Sequence, residues 1–201
     1  VRDLLDRLGP AVHRAEVIRE VADTVAGVGA NNVKRMSLPT YVLAARLEEV
    51  VALANQRLSR MTDGRYELRH SDELARHGAR SGLGLQVVDA WSGKARDTAT
   101  LSGGETFMAS LALALGLGDA VRAESGGIDL DTLFVDEGFG TLDEQALEQV
   151  MEVLDGLREG GRSVGIISHV LELRQRIPAQ LRLQRGHRGS SLEVRAEPDV
   201  A

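Results

Sequence analysis

Three short stretches carry residue types that could act on a phosphate. In LSGGE, Leu101 to Glu105, a serine and two glycines open a long apolar run. Glycines let backbone approach an anion closely, the first turn of a helix leaves N–H groups free, and the helix dipole favours negative charge there. Taken alone, an ordinary serine-capped helix accounts for the stretch better, with Glu105 completing a capping arrangement with an upstream residue. In LFVDEG, Asp136 and Glu137 stand at the carboxyl end of an apolar segment. One carboxylate can hold a hard cation such as Mg²⁺ together with waters, and a neighbouring one can position and deprotonate an attacking water. Successive strand side chains face opposite ways, so adjacent acids can divide these tasks. A solvated acidic turn has an equal claim. In IISHV, His169 follows Ser168 at the end of another apolar segment, where it can donate to a terminal phosphate oxygen. A lone histidine there is more often a hydrogen-bonded residue at the edge of a core.

The elements that must hold these residues follow from periodicity. Val1, Leu5, Leu8, Val12 and Ala15 step by four and three before the pattern slips to Ile18, Ala22 and Val25, a seam suited to a coiled coil or helix pair. Gly27, Gly29, Asn31 and Asn32 break it, and Pro39 precedes a second helix with a stripe at Leu43, Leu47, Val50, Val51, Ala54, Leu58 and Met61. Thr62-Asp63-Gly64 reads as a turn. Tyr66 to Leu68 and Leu83 to Val88 read as strands around a polar segment near Ser71 to Arg80. Beyond residue 97 a loop leads into the Gly-Gly helix. A short buried strand is expected at Leu130 to Val135, then a helix from about Leu142 to Leu157 that stops at Gly160-Gly161. SVGIISH reads as a further strand, followed by a short helix to Pro178 and two arginine-bearing strands. Helix and strand in alternation, with polar residues at strand ends, is α/β organisation.

Bulk composition narrows the class. The 201 residues are 43% hydrophobic with a net charge of -6, which argues against a chain that coats nucleic acid nonspecifically but permits a local basic groove. Phe107 to Leu117, the longest apolar stretch, is too short to span a bilayer and is interrupted by Ser110 and Gly116. No membrane partner is expected. The absence of cysteine rules out disulfides and cysteine-ligated metal and fits a reducing cytoplasm. The opening residue, Val1, is expected of a piece of a longer polypeptide.

Taken together and in this order, LSGGE, then Asp-Glu, then GTLD, then ISH resemble the carboxyl-terminal lobe of an ABC-type ATPase, as its signature motif, Walker B, D-loop and switch histidine. YVLAARLEEV, MTDGRYEL, VVDAW, FMASLALALGLGDAV, ESGGIDLDTLFVDEGFGTLDEQAL and ISHVLELRQRIP narrow the resemblance to the SbcC family of SMC-like ATPases, from about Tyr41 to Pro178. One departure is large. A P-loop needs G-x-x-x-x-G-K-[ST], and at the one Gly-Lys pair, Gly93-Lys94, Val88 stands in place of the first glycine and Ala95 in place of the hydroxyl. In that family the P-loop lies in an amino-terminal lobe, across a long antiparallel coiled coil.

The resemblance implies a carboxyl-terminal half of an ATPase head, with residues 1–61 as a helical coiled-coil stub and 62–201 as the lobe. Its cofactors would be ATP and Mg²⁺. Leu101, Ser102, Gly103, Gly104 and Glu105 would act in trans on the γ-phosphate held by a second head. Asp136 would hold Mg²⁺ through water, Glu137 would be the catalytic base, Asp143 would organise the dimer seam, and His169 would sense the γ-phosphate. The implied partners are the chain's own amino-terminal P-loop lobe, a second head, an SbcD-like nuclease near the coil base, and double-stranded DNA, in the cytoplasm at the nucleoid. No residue can be assigned to a Q-loop, which the family places in the missing lobe, and the chain has no His/Asp cluster for nuclease metals. Arg174, Arg176, Arg182, Arg185 and Arg188 are candidate DNA contacts, though solvated strand edges explain them nearly as well. Two rivals stand beside this reading: another coiled-coil ABC ATPase of chromosome condensation or recombination, and a nonenzymatic truncated module that only binds a partner.

Overall fold

The computed structural model describes residues 2–30, 32–71, 83–124, 126, 131–187 and 189–195, with the backbone alone for 2–7. It divides into two compact units at Leu130 and Asp131, each considered by itself.

In the first unit, α1 spans Arg2–Ala26. Its seam residues Leu8, Val12, Ile18 and Val25 are all exposed. The helix stops where Gly27 adopts a φ of 80°, and a side chain there would strike the backbone of Met36 and Ser37. Asn32 closes the loop, donating from Nδ2 to the carbonyls of Thr24 and Met36 and accepting the Met36 N–H. Ser37 then caps α2, Leu38–Met61, with Pro39 in its first turn, where a missing N–H costs nothing.

α2 buries Ala44, Val51, Ala54, Leu58 and Met61 against α3, Gly103–Glu124, and against β1, Tyr66–Ser71. Leu43 was expected on this stripe but is exposed, and Ala44 takes the inward place. The two helices lie too close for a larger residue: a Cβ added at Gly116 would come within 2.7 Å of the Val50 carbonyl oxygen and the Ala54 nitrogen. Arg57 and Asp119 pair across this contact at 2.5 Å. Among the described residues α3 alone has the length and hydropathy of a membrane span. Its Met108, Leu111, Ala112 and Leu115 are nevertheless buried in the protein core.

β1, β2 (Gly84–Asp89) and β3 (Lys94–Asp97) form an antiparallel meander, with Tyr66 opposite Asp89 and Asp89 opposite Lys94. The third strand was not expected, and its signal is Gly93 with a φ of 66° in the turn before it. Asn55 of α2 satisfies the outer edge of β1, donating to the Leu68 carbonyl and accepting the Leu68 N–H, both at 2.8 Å. The polar segment near 71–80 lies almost wholly outside the described residues.

The second unit is built on a βαβ crossover. β4, Thr132–Asp136, runs parallel to β5, Ser163–Ile167, with Asp136 beside Ile167. Between them come a 3₁₀ turn at Phe139–Thr141 and α4, Glu144–Glu159. Phe139, Val150, Met151 and Leu154 make the core. β4 is a residue later than expected at its end and is buried only at Val135, with Phe134 72% exposed. Ile167 of β5 is exposed as well. α4 starts two residues later than expected, because the Asp143 carboxylate accepts the Ala146 N–H and so fixes the helix start behind it. α5, Leu171–Arg176, then leads to the hairpin of β6, Gln180–Gly186, and β7, Gly189–Arg195.

Candidate functional site

In the first unit, Ser102 and Glu105 form a reciprocal cap on α3. The Glu105 N–H donates to Ser102 Oγ at 3.3 Å, and the Ser102 N–H donates to Glu105 Oε2 at 2.9 Å. The capping arrangement expected from the sequence is therefore present, with Ser102 itself as the upstream residue. It leaves the N–H groups of Gly103 and Gly104 in the first turn with no acceptor among the described residues. These donors suit an anion. A cap of this kind leaves room for an anion at those N–H groups.

Glu105 is also tied to the sheet. Tyr66 Oη donates to its Oε1 at 2.6 Å, and Arg96 Nη2 donates to Oε2 at 3.2 Å. Burial pushes the Glu105 carboxyl up, but the bonds from Tyr66 and Ser102 and the Arg96 charge outweigh it and hold the group below its ordinary value. Burial, with the adjacent Glu105 carboxylate, pushes the Tyr66 phenol up. Sequence reasoning gave neither Tyr66 nor Arg96 a role. No local pattern marks them, since Tyr66 lies 39 residues from its partner.

In the second unit, Glu137 follows β4 with a φ of 58°, and Gly138 continues at 95°. A glutamate in the left-handed region is strained by about 1–3 kcal/mol. Its N–H is anchored on the Ile167 carbonyl at 2.9 Å, and its Oε2 lies 3.0 Å from His169 Nδ1. Both side chains are largely open to solvent, His169 at 77% and Glu137 at 51%. Asp136, one residue earlier, is exposed, with no hydrogen-bonding or ionic partner for its carboxylate among the described residues. That suits Mg²⁺, which takes one protein carboxylate and keeps several waters. No group of three or more possible metal ligands occurs among the described residues.

This sequence matches the family described as SbcC/RAD50-like, Walker B motif, over residues 77–156. It is 48% identical over 170 residues to the SbcC subunit of the SbcCD nuclease of Treponema pallidum, covering 85% of this chain and 16% of that protein. To the SbcC subunit of Vibrio cholerae it is 51% identical over 160 residues, 80% of this chain and 16% of that one. The chain is SbcC-like. It spans about a sixth of the length of these relatives. Its fold is also that of a solved Smc head domain with an extended coiled coil from Pyrococcus furiosus, with a TM-score of 0.56, 13% identity, and coverage of 96% of this chain and 46% of that one.

On this SbcC-like frame, Asp143 is a helix cap at the start of α4, with its Oδ1 on the Ala146 N–H at 2.8 Å. The carboxyl-terminal arginines are scattered in role. Arg176 pairs with Glu148 at 3.0 Å, Arg182 donates to Gln180 at 3.2 Å, and Arg188 lies outside the described residues.

Proposed function

We propose that this SbcC-like chain is the carboxyl-terminal half of an ATPase head, in which ATP-driven dimerisation and hydrolysis gate DNA processing by a partner nuclease. The observation that carries the reading is the placement of Glu137. A strained backbone and the His169 ring hold its carboxylate at the carboxyl end of a parallel strand, where α/β proteins present their sites. Such a carboxylate can take a proton from an attacking water. His169 Nδ1 donates to it, and because the pair is exposed the bond is weak enough to be exchanged when another acceptor arrives. Donation from both ring nitrogens at once requires the imidazolium form.

Ser102, Gly103 and Gly104 would present their donors to the γ-phosphate of an ATP held by the P-loop of a second head, with Leu101 and Glu105 framing the turn. Asp136 would hold Mg²⁺ through water. The metal, when bound, supplies charge neutralisation on the phosphate oxygens. Asp143 would order the seam between heads. Residues 1–61 would form the base of the coil, with an SbcD-like nuclease beside it, and the assembly would work on double-stranded DNA in the cytoplasm.

The 201 residues contain no P-loop motif, which sets the test. The purified chain should show no magnesium-dependent ATP turnover, and adding an amino-terminal half with a P-loop should restore it. Turnover by the chain alone would overturn the division between the halves.

A further inference from the structure

We propose that Tyr66 and Arg96 are positioning residues for the Ser102 turn and act on it through Glu105. This rests on the reading that Ser102, Gly103 and Gly104 offer donors to a terminal phosphate. A reciprocal cap needs only its own serine and glutamate, and the rest of the carboxylate is ordinarily left to water. Here both Glu105 oxygens are claimed by other elements. Tyr66, 6% exposed at the start of β1, holds Oε1, and Arg96 of β3 shares Oε2 with the Ser102 N–H. The Arg96 guanidinium also lies 5.4 Å from the centre of the Tyr66 ring, so the two donors brace each other.

The chemistry explains the excess. A glutamate in the same turn as an anion site repels the anion it is meant to help bind. Arg96 neutralises that charge where it faces Ser102, and Tyr66 draws the other oxygen toward the sheet. Glu105 can then fix the Ser102 backbone without presenting a bare charge to phosphate. Two strands and a helix start become one rigid cradle.

The test uses the head assembled with its P-loop-bearing half. On a Glu137→Gln background, which blocks turnover, Arg96→Gln should raise the protein concentration needed for the ATP-dependent dimer by about tenfold, as for one lost charge-assisted contact. Binding of a fluorescent ATP analogue to single heads should stay unchanged. Tyr66→Phe should shift the dimer in the same direction, and Arg96→Lys should recover most of the loss. With Glu105→Gln already present, Arg96→Gln should add little, because the charge it neutralises is gone.

Parent-like dimerisation of either Tyr66→Phe or Arg96→Gln would overturn the inference. So would an Arg96→Gln loss of equal size with and without Glu105→Gln. If Tyr66→Phe does not fold, the two Arg96 variants decide alone. Ser102→Arg separates the two levels. If that head still dimerises on ATP, the reading of the turn itself falls. If it does not, and Arg96→Gln behaves as parent, only the positioning role falls.

Discussion

His169 Nδ1 lies 3.0 Å from Glu137 Oε2, joining the residue after β4 to a residue two places beyond β5. The strands are parallel neighbours, so the bond ties the two ends at which an α/β sheet presents its chemistry. If Glu137 activates water, Glu137→Gln in the assembled head should slow hydrolysis by roughly 10²–10⁴-fold. Nucleotide binding should persist, since Asp136 is untouched. Single-turnover rates decide the matter, and a rate within about threefold of the parent would move the role elsewhere.

The Ser102 turn predicts a different failure. Ser102→Arg puts a long side chain where backbone must approach phosphate closely. The ATP-dependent dimer should vanish while single heads still bind ATP, because nucleotide stabilises the dimer only through contacts from both sides. Light scattering with and without ATP, on a Glu137→Gln background, reads this directly.

The Tyr66–Glu105 bond should give a stability difference bounded at both ends of the pH range. The folded pKa of Glu105 is lowered, so its contribution is present above the ordinary carboxylate value of about 4.3 and is lost as pH falls through the folded value. The folded pKa of Tyr66 is raised, so its contribution is complete below about 10 and is lost as pH rises through the folded value. Tyr66→Phe should therefore cost about 1.5–3 kcal/mol near neutrality, the range for a bond to a charged group. The gap in melting temperature should narrow in acid and again in strong alkali. A gap independent of pH would detach the phenol from the carboxylate.

Two glycines in helices should answer oppositely to the same substitution. At Gly116 a methyl group meets backbone on α2 at 2.7 Å, so Gly116→Ala should destabilise by roughly 1–3 kcal/mol. At Gly156 on α4 the added carbon meets nothing within 4 Å, and Gly156→Ala should stabilise by about 0.5–1 kcal/mol through helix preference. Denaturant unfolding of the two variants checks the signs.

The candidate site residues could be picked out because their patterns are local: a serine three before a glutamate, two acids closing an apolar strand, a histidine closing the next. The cap on α3 could be anticipated from LSGGE alone. What ties Glu105 to Tyr66 and Arg96 could not, because β1, β3 and α3 meet only through tertiary folding. Likewise the burial of Ala44 in place of Leu43 depends on tertiary packing, which helical periodicity does not contain. Phe134 was read as interior because an apolar strand usually has cover on both faces, and here Phe134 and Ile167 are exposed.

Gly116 has a mechanical meaning as well as a steric one. Where α2 and α3 meet there, backbone lies against backbone, with no cushion of side chains to absorb a displacement. α2 leads back through the Gly27–Ser37 loop to α1, and α3 begins at the Ser102 turn. A pull or twist delivered along α2 would therefore reach that turn as the rotation of a stiff lever rather than fade within a compliant core.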